Sequence, residues 1–279
     1  MPIKDILLPL VGLRRDATIA AIDKCVALAG DFGANVSAVA IEEAVLVRPQ
    51  VISLDLDNSA AASAVRSVTD AGGLLKAFDN AAIRFGLRNE QTLVRWTTGE
   101  VASNLAYRAR LKDLSLVPVK SHDNLSEAIV EQLLFKSGRP VLLCPEDRAA
   151  ELPIVFRHVL IAWDHSAPAA RAVADALSLL KAAETVRVIT ATDGRTPEEM
   201  KSGADLVGHL AEHGIKASFE VVKIEGSSVG KVFDAYVRAN AIDLLVMGGY
   251  RHTRLSEIVW GGMTKTVIGQ PPCWVMMSR

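Results

Sequence analysis

Asp243-Leu-Leu-Val-Met-Gly-Gly-Tyr-Arg-His-Thr-Arg-Leu-Ser-Glu-Ile-Val-Trp-Gly-Gly-Met-Thr264 echoes an earlier stretch, Asp113-Leu-Ser-Leu-Val-Pro-Val-Lys-Ser-His-Asp-Asn-Leu-Ser-Glu127, at a constant offset of 130 residues. Asp113, Leu114, His122, Leu125, Ser126 and Glu127 recur as Asp243, Leu244, His252, Leu255, Ser256 and Glu257. Two copies of one domain in a single chain are therefore expected. The copies differ in their glycines, because Gly248, Gly261 and Gly262 stand opposite Pro118, Glu131 and Gln132. A glycine lets backbone come close to a phosphate, so only the second copy keeps that capacity.

The repeat extends outward. Ile6-Leu7-Leu8 aligns with Val159-Leu160-Ile161 as a first strand, each followed by an alanine-rich helical stretch. Gly99 aligns with Gly226 at the start of the helix before the repeated Asp. Gly138-Arg-Pro-Val-Leu-Leu-Cys144 aligns with Gln270-Pro-Pro-Cys-Trp-Val-Met276 across a small gap. Residues 145–153, with two prolines and several charges, read as a linker. The expected domains are 1–146 and 154–279, both of ordinary domain size.

Within the second copy, apolar runs alternate with helical periodicity. Strands are expected at 155–163, 186–190, 217–224, 242–247 and 273–277, and helices at 168–183, 197–213, 228–240 and 263–268. This rhythm gives the fold class α/β: two repeated open parallel-sheet domains, Rossmann-like, each with about five strands and flanking helices. The first copy carries an insertion at 43–58, holding Leu46, Val47, Pro49 and Val51, to which no function is assigned. A long helix at 59–85 follows it.

Half of the residues are apolar and 23% are charged, enough for two cores. A net charge of −1 gives no electrostatic reason to expect nucleic acid or an anionic membrane as partner. No apolar run approaches the ~18 residues of a membrane span, and no signal-peptide pattern opens the sequence. Cys25, Cys144 and Cys273 are far apart and lack metal-ligand spacing. Buried free thiols in a reducing, cytoplasmic compartment are expected, with no metal site.

In an open parallel sheet, ligands gather beyond the carboxyl ends of the strands where the winding direction switches. Asp164 follows the first strand of copy two, and Gly248-Gly249 follow its fourth, so these two ends form the walls of one crevice. Gly261 and Gly262 precede the predicted 263–268 helix, where N–H groups and the helix dipole favour an anion. A carboxylate on one wall and backbone donors on the other suit a ribose hydroxyl and a phosphate chain. The alternative, that these glycines only make tight turns, stays open at this point.

Catalytic chemistry finds little support. A nucleotide-dependent enzyme needs a carboxylate cluster or a nucleophile–base pair at the strand ends, and Asp164 has no partner set. Neither a G-x-G-x-x-G fingerprint nor a P-loop is present, and no acidic pair suits a phosphorylated receiver. His209-Leu-Ala-Glu-His213 spells H-x-x-E-H, but it ends an ordinary crossover helix with Gly214 as its C-cap, so a solvated helix end is the reading. No catalytic residue is assigned, and the protein is not read as an enzyme.

The second copy resembles the universal stress protein family. Its domains open with a strand ending in Asp-x-Ser and close with Met-Gly-x-x-Gly, nine residues, then Gly-Ser or Gly-Thr. Val159-Leu-Ile-Ala-Trp-Asp-His-Ser166 matches the opening, and Met247-Gly248 and Gly261 match the closing at the family spacing. The resemblance is strong in copy two and weak in copy one. It implies the adenine-nucleotide-binding α/β fold (adenine nucleotide alpha hydrolase-like) and ATP or AMP as ligand. Asp164 would meet the ribose, and Gly248, Gly261, Gly262 and Thr264 the phosphates, with Arg251, His252 and Met263 beside them.

Two positions depart from the family pattern. Arg251 stands where the second glycine is usual, and it could hold a phosphate or fill the site. Gly262 replaces a Ser or Thr and loses a side-chain donor. His252 recurs as His122 in the copy without phosphate glycines, which favours a structural hydrogen bond. Ser126-Glu127 and Ser256-Glu257 read as helix-capping elements, and Trp163 and Trp260 as packing residues.

The expected protein is a tandem universal stress protein that binds adenine nucleotide in its second domain. Its degenerate first domain completes an intramolecular pseudo-dimer through the last strands, 141–144 beside 273–277. Homodimerisation is left open. The alternative is a ligand-free scaffold acting through protein partners.

Overall fold

The computed structural model describes residues 2–12, 15–43, 56–96, 98–147, 152, 154–192, 197–249 and 258–279. In the first half, β1 (Asp5–Leu10), α1 (Asp16–Asp31), β2 (Asn35–Glu43), α2 (Leu56–Arg84), β3 (Asn89–Trp96), α3 (Thr98–Ala109), β4 (Leu114–Val119), α4 (Asn124–Lys136) and β5 (Val141–Pro145) follow in order. The second half repeats the alternation with β6 (His158–Ala162), α5 (Ala167–Ala182), β7 (Thr185–Ala191), α6 (Pro197–Glu212), β8 (Ala217–Val222), α7 (Val229–Ala239), β9 (Leu244–Gly248), α8 (Ile258–Gly269) and β10 (Trp274–Ser278).

Why these strands are nearly continuous apolar runs follows from their burial on both faces. Successive strand side chains point to opposite sides. Ile6 and Leu8 of β1 share one core with Ile22 of α1, Phe78 of α2, Val173 of α5 and Leu210 of α6. Leu7 shares the other with Leu105 of α3, Leu133 of α4, Phe233 of α7 and Val267 of α8. Among the described residues, four helices thus cover each face. Burying a side chain such as Phe233, 1% exposed, contributes about 1.5–3 kcal/mol.

The strands form one ten-stranded sheet in the order β3-β2-β1-β4-β5-β10-β9-β6-β7-β8. Each half has the same internal order, and every neighbour pair is parallel except β5 with β10. That antiparallel seam pairs Val141 with Met277, Leu142 with Met276 and Leu143 with Val275, the last-strand pairing that the family resemblance implies. It buries two edges that would otherwise present unpaired N–H and C=O groups. Helices also meet across the seam. The His122 N–H donates to the Gly269 carbonyl at 2.8 Å, and a Cβ on Gly249 would lie 2.5 Å from Leu134 Cδ2.

The halves differ at their central ladders. β6 pairs with β9 at four positions, from Val159↔Leu244 to Ala162↔Met247, but β1 pairs with β4 only at Ile6↔Leu114 and Leu7↔Ser115. Continuing the second register sets Pro9 opposite Val117 and Pro118 opposite Leu10. Each proline lacks an N–H, so the ladder stops before them.

Several boundaries correct the sequence reading. α2 begins at Leu56, inside the predicted insertion, of which residues 44–55 lie outside the described residues. Gly248 is the last residue of β9 rather than a turn residue after it. Gly99 is the second residue of α3, whereas Gly226 occupies a turn before α7 with φ +72°. Gly214 does terminate α6, with φ +75°. All three cysteines are buried, and none forms a disulfide. No helix among the described residues is long and apolar enough to cross a membrane.

Candidate functional site

β6 ends at Ala162, and the chain then turns sharply. His165 takes φ +62°, left-handed backbone that few non-glycine residues adopt. The turn folds Ser166 back onto Asp164, whose Oδ1 accepts from the Ser166 N–H at 3.2 Å and hydroxyl at 2.7 Å. Ser166 caps α5, its Oγ accepting from the Ala169 N–H at 3.2 Å. The half-buried Asp164 carboxylate therefore stands at a strand end and organises the entry to a helix.

Gly248 closes the other wall. A Cβ there would sit 2.6 Å from the Ala169 nitrogen and 2.8 Å from the Pro168 carbonyl carbon. Only glycine permits the first turn of α5 to lie this close to the end of β9. The two walls expected from the sequence therefore meet, in register through Ala162↔Met247. α5 departs to one face of the sheet and α8 to the other, as at a topological switch point.

Gly261 and Gly262 do not precede their helix. α8 starts at Ile258, so they are its fourth and fifth residues. N–H groups without intrahelical partners belong to the first turn, here Ile258 to Trp260. Longer helical propagation than the glycine-based estimate allowed is the reason. A Cβ on exposed Gly262 would meet nothing within 4 Å, so packing does not demand glycine there. Met263 and Thr264 are buried, 1% and 3% exposed, and Met263 joins the core beside Val267. Arg251 and His252 lie outside the described residues.

The first half lacks this arrangement for reasons the sequence reading caught only in part. Val11 follows β1 in place of Asp164, and Pro118 is buried within β4. Glu131, however, is the eighth residue of α4, two turns from the helix start, and cannot confront an anion there. Asp123 does so instead. It caps α4, accepting from the Ser126 N–H at 2.9 Å and hydroxyl at 2.7 Å, so a carboxylate already occupies that helix start. Ser126 is a donor to the cap rather than the cap itself. The spacing Asp123-x-x-Ser126 was the available signal.

Other recurrent residues are structural. Asp243 Oδ2 accepts the N–H groups of Arg157 and His158, and Asp113 Oδ2 those of Lys4 and Asp5. Trp163 is buried, its Nε1–H donating to Ser202 Oγ at 2.8 Å. His209 and His213 place their rings 4.9 Å apart, and no group of three metal-ligating side chains exists among the described residues.

The comparisons agree with this architecture. The universal stress protein family model matches residues 156–279. A universal stress protein from Archaeoglobus fulgidus superimposes with TM-score 0.64 at 14% identity, over 99% of this chain and 96% of that one. A functionally unknown Pseudomonas aeruginosa protein does so with TM-score 0.57 at 15% identity, over 99% and 92%. A universal stress protein solved in complex with cAMP covers 53% of this chain and 100% of its own, at 13% identity and TM-score 0.34. No curated protein sequence matches the chain. Residues 156–279 thus belong to the universal stress protein family, and from end to end the chain has the fold of the solved Archaeoglobus fulgidus member.

Proposed function

We propose that the chain is a cytoplasmic, non-catalytic stress-response regulator built of two domains, 1–146 and 154–279, whose second domain binds ATP or AMP. The observation that carries this reading is the pairing of β6 with β9 through Ala162↔Met247, which sets Asp164 and Gly248 at adjacent strand ends at a switch point inside the family-matched segment. Asp164 is the ribose acceptor. The first turn of α8, Gly261 and Gly262 face the phosphates, and Arg251 and His252 are further candidate contacts by sequence. The buried Met263 and Thr264 hold α8 in place. Nucleotide then favours one conformation of the second domain over others, which is a population shift rather than a reaction.

One domain per chain carries the ligand, because Asp123, Val11 and Pro118 withdraw both the ribose acceptor and the free helix start from the first. The expected affinity is about micromolar, roughly −8 kcal/mol. Calorimetry with ATP and AMP, beside mass spectrometry of small molecules released from the purified protein, tests this. One site per chain is expected, and Asp164→Ala weakens it by about 1–3 kcal/mol. No heat at millimolar nucleotide and no released ligand would leave the ligand-free scaffold as the function.

A further inference from the structure

The H-x-x-E-H pattern and the strained turn at His165 converge on a feature that the nucleotide crevice does not use. A cleft of about 400 Å³ opens between α5 and α6, on the face of the sheet that α8 does not cover. This is within the size range of small-molecule sites. Trp163 and Ser202 lie at its base, joined by the indole N–H. Ala170 and Ala174 of α5 form one wall, and their small side chains leave the space open. Asp205 and His209, one helical turn apart on α6, form the other. His165 stands at the mouth, its imidazole 6.0 Å from the Trp163 ring.

The chemistry of the lining is one-sided. Among the described residues, Asp205 is exposed and forms no ion pair, and no lysine or arginine borders the cleft. The single formal charge of this described lining is negative, which disfavours a phosphate and favours a cation. Two imidazoles and a serine hydroxyl supply acceptors for N–H groups. An aromatic base and an alanine wall suit a flat ring.

We propose that the α5–α6 cleft is a second ligand site for a flat, positively charged nitrogen heterocycle, with the cation on Asp205 and the ring between Ala170 and His165. The left-handed backbone at His165 is what carries the imidazole to the mouth. This site is independent of nucleotide binding and stands if that reading fails.

The probe is 2-aminobenzimidazolium, titrated into the full chain while the Trp163 indole N–H resonance is followed by NMR, assigned with Trp163→Phe. A saturable shift with sub-millimolar Kd is expected. Asp205→Asn should weaken binding at least about ten-fold, as should replacing the probe by neutral indole. His165→Gly keeps the backbone conformation and should also weaken it. Ala170→Phe should fill the cleft and abolish the shift. If Ala170→Phe fails to fold, the Asp205→Asn result decides. The absence of a saturable Trp163 shift at 10-fold above millimolar probe, or equal affinity in Asp205→Asn, overturns the proposal.

Discussion

Asp243 holds the start of β6 by accepting the His158 N–H at 2.8 Å, although 85 residues separate them. The same carboxylate oxygen takes the Arg157 N–H at 2.9 Å, and Asp113 repeats the clamp on Lys4 and Asp5 in the first half. The residue that recurs most plainly in the sequence is thus a structural anchor in both copies, joining the strand before the switch point to the one after it.

Removing that anchor should be costly in either half. Asp243→Ala and Asp113→Ala should each destabilise by about 1–3 kcal/mol, because two N–H groups lose a charged acceptor. The effects should add, since the sites share no partner. Urea unfolding measures both, and a loss under about 0.5 kcal/mol in either variant would contradict the clamp.

Two glycines of the candidate site should separate packing from binding. Gly248→Ala should destabilise by about 1–3 kcal/mol, because its Cβ would press on the Pro168–Ala169 backbone. Gly262→Ala should instead raise stability by about 0.5–1 kcal/mol, as alanine favours a helix interior with open space around it. If phosphates approach Gly262, that same variant should lose nucleotide affinity. Thermal melts beside ATP calorimetry decide, and a destabilised Gly262→Ala would show that the space is not open.

Glu146 lies half-buried beside Thr18, whose hydroxyl donates to it at 3.1 Å. Burial raises its pKa above the usual 4.5, against the opposing Thr18 hydrogen bond and Arg15, with Asp147 and Asp123 adding to the rise. A raised folded pKa means that the native state holds the proton more tightly than the unfolded chain. The stability this supplies is complete below about pH 4.5 and is lost as pH rises through the folded value. Glu146→Gln should therefore match the native protein in acid and exceed it at neutral pH. Melting temperatures from pH 4 to 8 should show the gap opening with pH, and a gap that closes would refute the sign.

The seam between β5 and β10 should make the second half dependent on a partner edge. Residues 154–279 alone would expose the β10 backbone that Val141 to Leu143 otherwise pair. Light scattering should find a dimer or aggregate. A strictly monomeric fragment at high concentration would argue that the seam contributes little.

The thiols should be silent in the native state. Cys25 and Cys144 are both 0% exposed, and burial, with Cys144 beside it, pushes the Cys25 thiol well above its usual pKa. Ellman's reagent should label none of the three cysteines within minutes natively and all three in guanidinium. Rapid native labelling would place a thiol nearer the surface.

Much of this was legible in local pattern. Apolar runs and helical periodicity determined the α/β alternation and the 130-residue echo determined the repetition, because each signal is confined to a few neighbouring residues. Only the tertiary structure decided the strand order within each half and the register, and with that the purpose of particular residues. Gly248 is glycine because α5 crosses over it, and Asp113 and Asp243 recur because a strand 85 or more residues away needs its N–H groups satisfied. Pro9 and Pro118 stop the first ladder jointly, across 109 residues. α8 extends four residues before Gly262, since hydrogen bonding along a helix and burial of its far end outweigh the weak propensity of two glycines. Such contacts act across the folded sheet, where separation along the chain no longer measures distance.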